Sequence, residues 1–292
     1  MATDQKASAS KAPDTAPYVE GDIGYFPEAP RADELFSPAT LAALPPDERA
    51  KAYASRRNLR TCRIYDGWAS NDPPSLESHG FCAVKHKTQF GDVRDLAQLQ
   101  AGYPDEMLDL ILQASGASWV LPKRVDIVMR ASAQKAGQEM VAPAAHTDYT
   151  PQSVREQAEL VLSANGQSGR PYRRVADYQT WRALTPPPQD RPLAICDART
   201  IRPEDRVEQS NAIGPLTDPT KVFAITLSRY NPDHRWFYFP NMQLDDLLIF
   251  RGASTDPDDN PNVFHSSFSD PTAGGAAIPR VSVESRFFCF YD

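Results

Sequence analysis

Residues 280–291 read Arg-Val-Ser-Val-Glu-Ser-Arg-Phe-Phe-Cys-Phe-Tyr. β-Branched and aromatic residues dominate the run and no Pro or Gly interrupts it, so it predicts a strand over Val281–Tyr291. Side chains of a strand project alternately to its two faces. Arg280, Ser282, Glu284 and Arg286 therefore share one face, and Val281, Val283 and Ser285 the other. A polar stripe ordinarily faces solvent. This one leads into Phe287–Tyr291, which has the composition of buried chain, so its polar groups need partners inside the fold, and a binding cavity supplies them.

Outward from this segment the chain continues as short β-like runs. They are Thr61–Tyr65, Gly80–Val84, Val125–Met129, Leu193–Cys196, Val222–Tyr230, Trp236–Phe239, Leu247–Phe250 and Val263–Phe268. Pro, Asp, Asn and Gly punctuate them. Helical signals cluster earlier. Pro46-Asp47-Glu48 opens one helix that runs to about Asn58. Pro104-Asp105-Glu106 opens a second, through Met107, Leu108, Leu110, Ile111 and Leu112 to a stop at Gly116. A third begins at Thr150-Pro151 and ends near Gly166. Beyond about residue 190 there is no helical signal. The 27 prolines argue against long helices. The pattern predicts a mainly β protein with flanking helices, a β-barrel or jelly roll, and of these a double-stranded β-helix (jelly-roll, cupin-like) core is the expectation. Residues 1–16 read as a disordered tail with little to bury, and residues 17–292 as a single domain.

Hydrophobic residues make up 41% of the 292, which suffices for a core. A net charge of −7 provides no basic field for nucleic acid or an anionic membrane. No apolar run approaches the roughly 20 residues of a membrane helix, and the N-terminal residues lack a hydrophobic signal core, so a cytoplasmic protein is expected, as monomer or homodimer. Cys62, Cys82, Cys196 and Cys289 are scattered and read as reduced thiols.

Five histidines are available for chemistry: His79, His86, His146, His234 and His265. His146-Thr147-Asp148 places an imidazole and a carboxylate on one face of an extended segment. His265 offers a third ligand from far downstream. Two His and one carboxylate form the facial triad of non-haem Fe(II) oxygenases, which leaves positions open for co-substrate and O₂. The alternative for His146 is a surface residue capping a turn. Arg280, with the Ser282 hydroxyl beside it, suits the remote carboxylate of 2-oxoglutarate, whose 2-oxo acid end would chelate the iron. The alternative for Arg280 is a structural ion pair, with Glu284 as a candidate partner.

Several separated blocks resemble a known family. They are Ser78-His79-Gly80-Phe81, His146-Thr147-Asp148-Tyr149-Thr150, Trp181-Arg182 followed by Pro192–Asp197, His234-Arg235-Trp236 with Tyr238 and Met242, His265–Pro271, and Pro279-Arg280 with Ser282, Glu284 and Arg286. In this order, from about Arg60 to Tyr291, the chain resembles the AsaB-like hydroxylase/desaturase family of CmcJ/NvfI type, Fe(II)/2-oxoglutarate-dependent oxygenases of secondary metabolism. The resemblance implies that His146, Asp148 and His265 are the iron ligands and that Arg280 anchors 2-oxoglutarate. It implies a small natural-product intermediate as substrate, with hydroxylation, desaturation or ring formation at an unactivated C–H. Ala183 stands where the family pattern has Pro, and Val281 where it has Glu.

Tyr149 is a candidate substrate-lining residue. Arg130 and Tyr230 are candidates to orient 2-oxoglutarate or substrate from strand ends at the barrel mouth. His79 and His234 read as structural residues near turns, and His86 as part of a solvated edge. Two rival functions remain at this point: an iron oxidase that does without 2-oxoglutarate, and a non-catalytic jelly-roll module that holds a small ligand without metal.

Overall fold

The computed structural model describes residues 15–26, 58–133, 139–140, 142, 144–212, 222–256, 258–259 and 262–292. In chain order the strands are β1 (Tyr18–Tyr25), β2 (Asn58–Asp66), β3 (Phe81–Lys85), β4 (Trp119–Pro122), β5 (Val128–Ala131), β6 (Glu139–Met140), β7 (His146–Thr147) and β8 (Arg174–Ala183). They continue with β9 (Leu193–Cys196), β10 (Arg206–Ala212), β11 (Val222–Ser228), β12 (Trp236–Tyr238), β13 (Asp246–Ser254), β14 (His265–Ser267) and β15 (Val281–Tyr291). The helices are α1 (Leu96–Gly102), α2 (Leu108–Ser115) and α3 (Pro151–Ala164).

Two sheets form the body. One has eight strands in the order β1-β2-β12-β9-β14-β7-β11-β10. The other has seven, in the order β3-β13-β8-β15-β5-β6, with β4 also pairing β15. The crossovers between non-consecutive neighbours are those of a double-stranded β-helix, the fold class expected from the sequence. Between the sheets lies an aromatic and aliphatic core that includes Phe81, Trp181, Leu193, Ile195, Phe237, Leu248 and Phe250.

The last strand spans Val281–Tyr291, as its composition predicts. Its alternation sorts the layers. Val281, Val283, Phe287 and Cys289 pack against Leu99, Tyr103, Met107 and Ile111 of the α1–α2 segment. Phe288 and Phe290 pack against Val154, Ala158, Val161 and Leu162 of α3. Burial of each such side chain contributes about 1.5–3 kcal/mol relative to exposure. Helix α3 starts where expected: the Thr150 side chain accepts from the Ser153 N–H, the Ser153 hydroxyl accepts from the Thr150 N–H, and Pro151 opens the first turn. The second expected helix exists, but its Tyr103–Met107 turn is 3₁₀ and the α-helical part begins at Leu108. It stops at Gly116, whose φ of 63° suits a residue without Cβ.

Other expectations need correction. Val125–Met129 is not a strand throughout: Arg124–Asp126 forms a 3₁₀ turn, and β5 begins at Val128. β11 ends at Ser228 rather than Tyr230. Only His265–Ser267 of the Val263–Phe268 run is laddered. Strands β1, β4, β8 and β10 and helix α1 carry no clear sequence signal. The helix expected from Pro46 to about Asn58, apart from Asn58 itself, which begins β2, and all but the last two residues of the expected N-terminal tail lie outside the described residues.

Candidate metal centre

β7 lies between β14 and β11. Its register sets His265 directly across from His146 on one side and Leu227 on the other. The two imidazole centroids are 4.3 Å apart. Asp148 follows two residues after His146, and its Oδ1 lies 3.3 Å from His146 Nε2. One ligand atom from each of His146, Asp148 and His265 falls within 4.8 Å of the others. The three residues singled out by sequence pattern therefore converge on one point.

Each is prepared for ligation. His146 Nδ1–H donates to the Ala144 carbonyl at 2.7 Å, which leaves the Nε2 lone pair facing the centre. His265 is buried beside the Phe250 ring, at 4.9 Å between centroids. Burial and the neighbouring His146 hold its pKa well below the usual imidazole range, so it is neutral and can donate a lone pair. Burial of Asp148 opposes its charge, but the Arg286 guanidinium and the two imidazoles hold its carboxyl well below the usual carboxylate range. It is an anion at neutral pH.

Arg286 is the contact the sequence did not disclose. Its Nε and Nη2 both reach Asp148 Oδ2, at 2.7 and 2.6 Å, and its Nη1 donates to the Asp126 carbonyl at 3.0 Å. The signals for it were its parity with Arg280, just before β15, and its place in the last of the resembling blocks.

Arg280 is 1% exposed, yet among the described residues its Nε and Nη1 have no hydrogen-bond partner, and neither has the Ser282 hydroxyl. The guanidinium sits 5.3 Å from the Trp181 ring centre. Burial pushes its pKa down to about 10, which leaves it charged at neutral pH. Among the described residues no ion pair joins Arg280 to Glu284, which instead accepts from Arg130 Nε at 2.9 and 3.1 Å. A buried cation with open N–H groups beside an open hydroxyl fits an incoming carboxylate. The donor set of two neutral-capable imidazoles and one carboxylate fits Fe(II). Both groups are thus compatible with the residues present.

The remaining candidates sort differently. Arg130 lies on β5 directly across from Ser282, so it borders the Arg280 region. Tyr149 is fully buried among α3 and β15 residues. Its hydroxyl is 3.4 Å from Asp126 Oδ2, and Lys123 Nζ donates to it at 3.3 Å, so it belongs to an interior network rather than to a cavity wall. Tyr230 lies beyond the end of β11 and packs edge-on against Tyr25 at 5.2 Å, with the Arg60 guanidinium over it. His79 is buried between Ser78 and Arg199, and His234 is bonded to Asp205 at 3.0 Å, both structural. His86 follows the edge strand β3 between exposed Lys85 and Lys87, as expected, and is itself half-buried. It bridges the Glu106 carbonyl at 3.0 Å and the buried Arg182 at 2.8 Å. Of the two departures from the family pattern, Ala183 pairs across from Ser282, while Val281 faces the α1–α2 layer.

A family model described as "Oxidoreductase/YMDC permease-like domain" matches residues 25–290. Among the described residues no helix is long and apolar enough to cross a membrane. The chain is 27% identical over 253 residues to "Hydroxylase/desaturase CTB9" of Cercospora beticola, covering 80% of this chain and 77% of that protein. It is 25% identical over 237 residues to "Fe(II)/2-oxoglutarate-dependent dioxygenase nvfI" of Aspergillus novofumigatus, covering 78% and 82%. The solved structure titled "iron and alpha-ketoglutarate-dependent endoperoxidase NvfI" superposes with a TM-score of 0.69 at 20% identity, over 94% of this chain and 98% of the other, and so shares the fold.

Proposed function

We infer the function from one premise: the chain belongs to the oxidoreductase family whose model spans residues 25–290, and within it to the AsaB/NvfI type. It is an Fe(II)/2-oxoglutarate-dependent oxygenase that acts on an unactivated C–H of a small secondary-metabolite intermediate, by hydroxylation, desaturation or oxidative ring formation. Residues 17–292 work as one oxygenase domain, in the cytoplasm, as monomer or homodimer, with neither nucleic acid nor membrane as partner. The relatives' printed names and the net charge of −7 support this reading.

His146, Asp148 and His265 would hold Fe(II) and leave three of its positions open. Arg280 and Ser282 would take the remote carboxylate of 2-oxoglutarate. Fe(II) and 2-oxoglutarate, when bound, would supply with O₂ the oxidising chemistry for a C–H bond, with succinate and CO₂ as co-products. The chain's own part is orientation and exclusion. The Ala144 carbonyl and β7–β14 pairing hold the imidazoles in place, and Arg280 would fix the keto acid from one end. The aromatic lining around Phe250 and Trp181 keeps bulk water from the reacting groups.

The observation that carries the reading is a triad of ligand atoms within 4.8 Å on the same sheet pair as a buried arginine with two open N–H groups. The open arginine also favours 2-oxoglutarate use over an iron oxidase without it. The test is substrate-dependent succinate release from anaerobically reconstituted Fe(II) enzyme, screened over candidate metabolites. Turnover by Asp148→Ala at the wild-type rate, or product formation unaffected by omission of 2-oxoglutarate, would refute it.

A further inference from the structure

We propose that Arg286 is a positioning residue that restricts Asp148 to a single oxygen on the metal and thereby preserves the third open coordination position. This inference rests on the proposed iron and 2-oxoglutarate function. Arg286 engages Asp148 Oδ2 with two N–H groups, at 2.7 and 2.6 Å, while Oδ1 alone faces His146 Nε2 at 3.3 Å. A carboxylate whose second oxygen is claimed by a guanidinium fork offers one oxygen to a metal.

The count of positions decides the consequence. Three single-atom ligands on a six-coordinate iron leave three sites. A chelating keto acid takes two and O₂ takes the third. A two-oxygen contact from Asp148 would leave only two sites, and the keto acid and O₂ would compete for them.

The fork is itself held. Arg286 Nη1 donates to the Asp126 carbonyl at 3.0 Å, and the Asp126 carboxylate is paired with buried Lys123. Lys123 is fixed in turn by Gln157 of α3 at 2.6 Å. Arg286 is 4% exposed, and every anchor named is buried. Arg280 immediately precedes β15 and Arg286 lies on it with the same parity, so one extended segment carries both the keto-acid anchor and the residue that keeps room for the keto acid's chelating end.

The test separates metal affinity from keto-acid affinity in Arg286→Gln and Arg286→Lys. Mn(II) binding is followed by electron paramagnetic resonance, and 2-oxoglutarate binding to the Mn(II)-loaded protein by calorimetry. Arg286→Gln should bind Mn(II) at least as tightly as wild type, because its carboxylate gains a free oxygen. Its affinity for 2-oxoglutarate should fall about tenfold or more, because the chelating end must then displace one Asp148 oxygen. Arg286→Lys keeps the charge but not the fork, and should fall between the two. A parallel loss of Mn(II) and 2-oxoglutarate affinity would reduce Arg286 to a structural ion pair and overturn the proposal. So would 2-oxoglutarate affinity within about threefold of wild type. If circular dichroism finds Arg286→Gln unfolded, Arg286→Lys is judged by the same two readings. Wild-type protein that bound no Mn(II), or bound 2-oxoglutarate equally without metal, would sink the functional reading instead.

Discussion

Replacement of Arg280 by Met should separate the cost of an unfilled site from the value of a filled one. In the ligand-free protein the guanidinium is buried with Nε and Nη1 unpartnered. Each such unsatisfied group costs about 1–3 kcal/mol, whereas Met retains most of the aliphatic stem against Trp181. Arg280→Met without ligand should therefore melt no lower than wild type. With Mn(II) and 2-oxoglutarate the order reverses. Two charge-assisted bonds to a carboxylate are worth about 1.5–3 kcal/mol each. Their loss should weaken 2-oxoglutarate binding by roughly 10²- to 10⁴-fold at about 1.4 kcal/mol per decade. At 2-oxoglutarate about 100 times the wild-type Kd, wild type gains about 2.7 kcal/mol, a rise in Tm of roughly 5 °C or more, and the variant gains almost none. Thermal melts with and without 2-oxoglutarate, both with Mn(II), read this directly. An equal ligand-induced shift in both proteins would refute the anchor. A ligand-free Arg280→Met protein that melts more than about 5 °C below wild type would show an arginine satisfied within the fold.

Three further outcomes are expected. Asp148→Ala should abolish Fe(II)-dependent succinate release. It should also destabilise the metal-free protein by about 3–5 kcal/mol in urea, because Arg286 is left buried and charged without its partner; an undiminished midpoint would contradict the buried pair. Asp177 is fully buried, with burial first and the charge of Asp148 second raising its pKa to about 7. Its folded form thus holds a proton that the unfolded form has lost above about 3.9. The contribution to stability is present at low pH and declines as pH rises towards 7, with a slope of at most about 1.4 kcal/mol per pH unit. Asp177→Asn should flatten the wild-type decline between pH 4.5 and about 7; parallel curves would show that Asp177 does not titrate there. Gly252→Ala should cost about 1–3 kcal/mol in urea unfolding, because a Cβ at that position runs into the Asp177 carboxylate, and a neutral result would mean that the carboxylate has room to move.

Local rules made part of this molecule legible before any fold was known. The span and parity of β15, the cap and first turn of α3, the Gly116 stop and the two-residue spacing of His146 and Asp148 each depend on neighbours in the chain. β8 escaped because its reading, Arg-Val-Ala-Asp-Tyr-Gln-Thr-Trp-Arg-Ala, looks half-solvated, yet every residue after Arg174 is buried. Asp177 and Gln179 bond to each other along the strand, and Arg182 answers to Tyr103, His86 and Leu244 on other parts of the chain. The partners of half-buried His86 were illegible for the same reason: Glu106 and Arg182 lie far along the chain.

The sequence by itself determined which side chains could serve as ligands and anchors, and which of them share a face on one strand. Only the tertiary structure decided that His265 stands opposite His146, that Arg286 rather than solvent answers Asp148, and that Glu284 is taken by Arg130 while Arg280 stays open. Facing is set by bond geometry within a few residues. Ladder register and ion-pair choice are set by which distant strands come to lie side by side, and no local pattern of side chains encodes that.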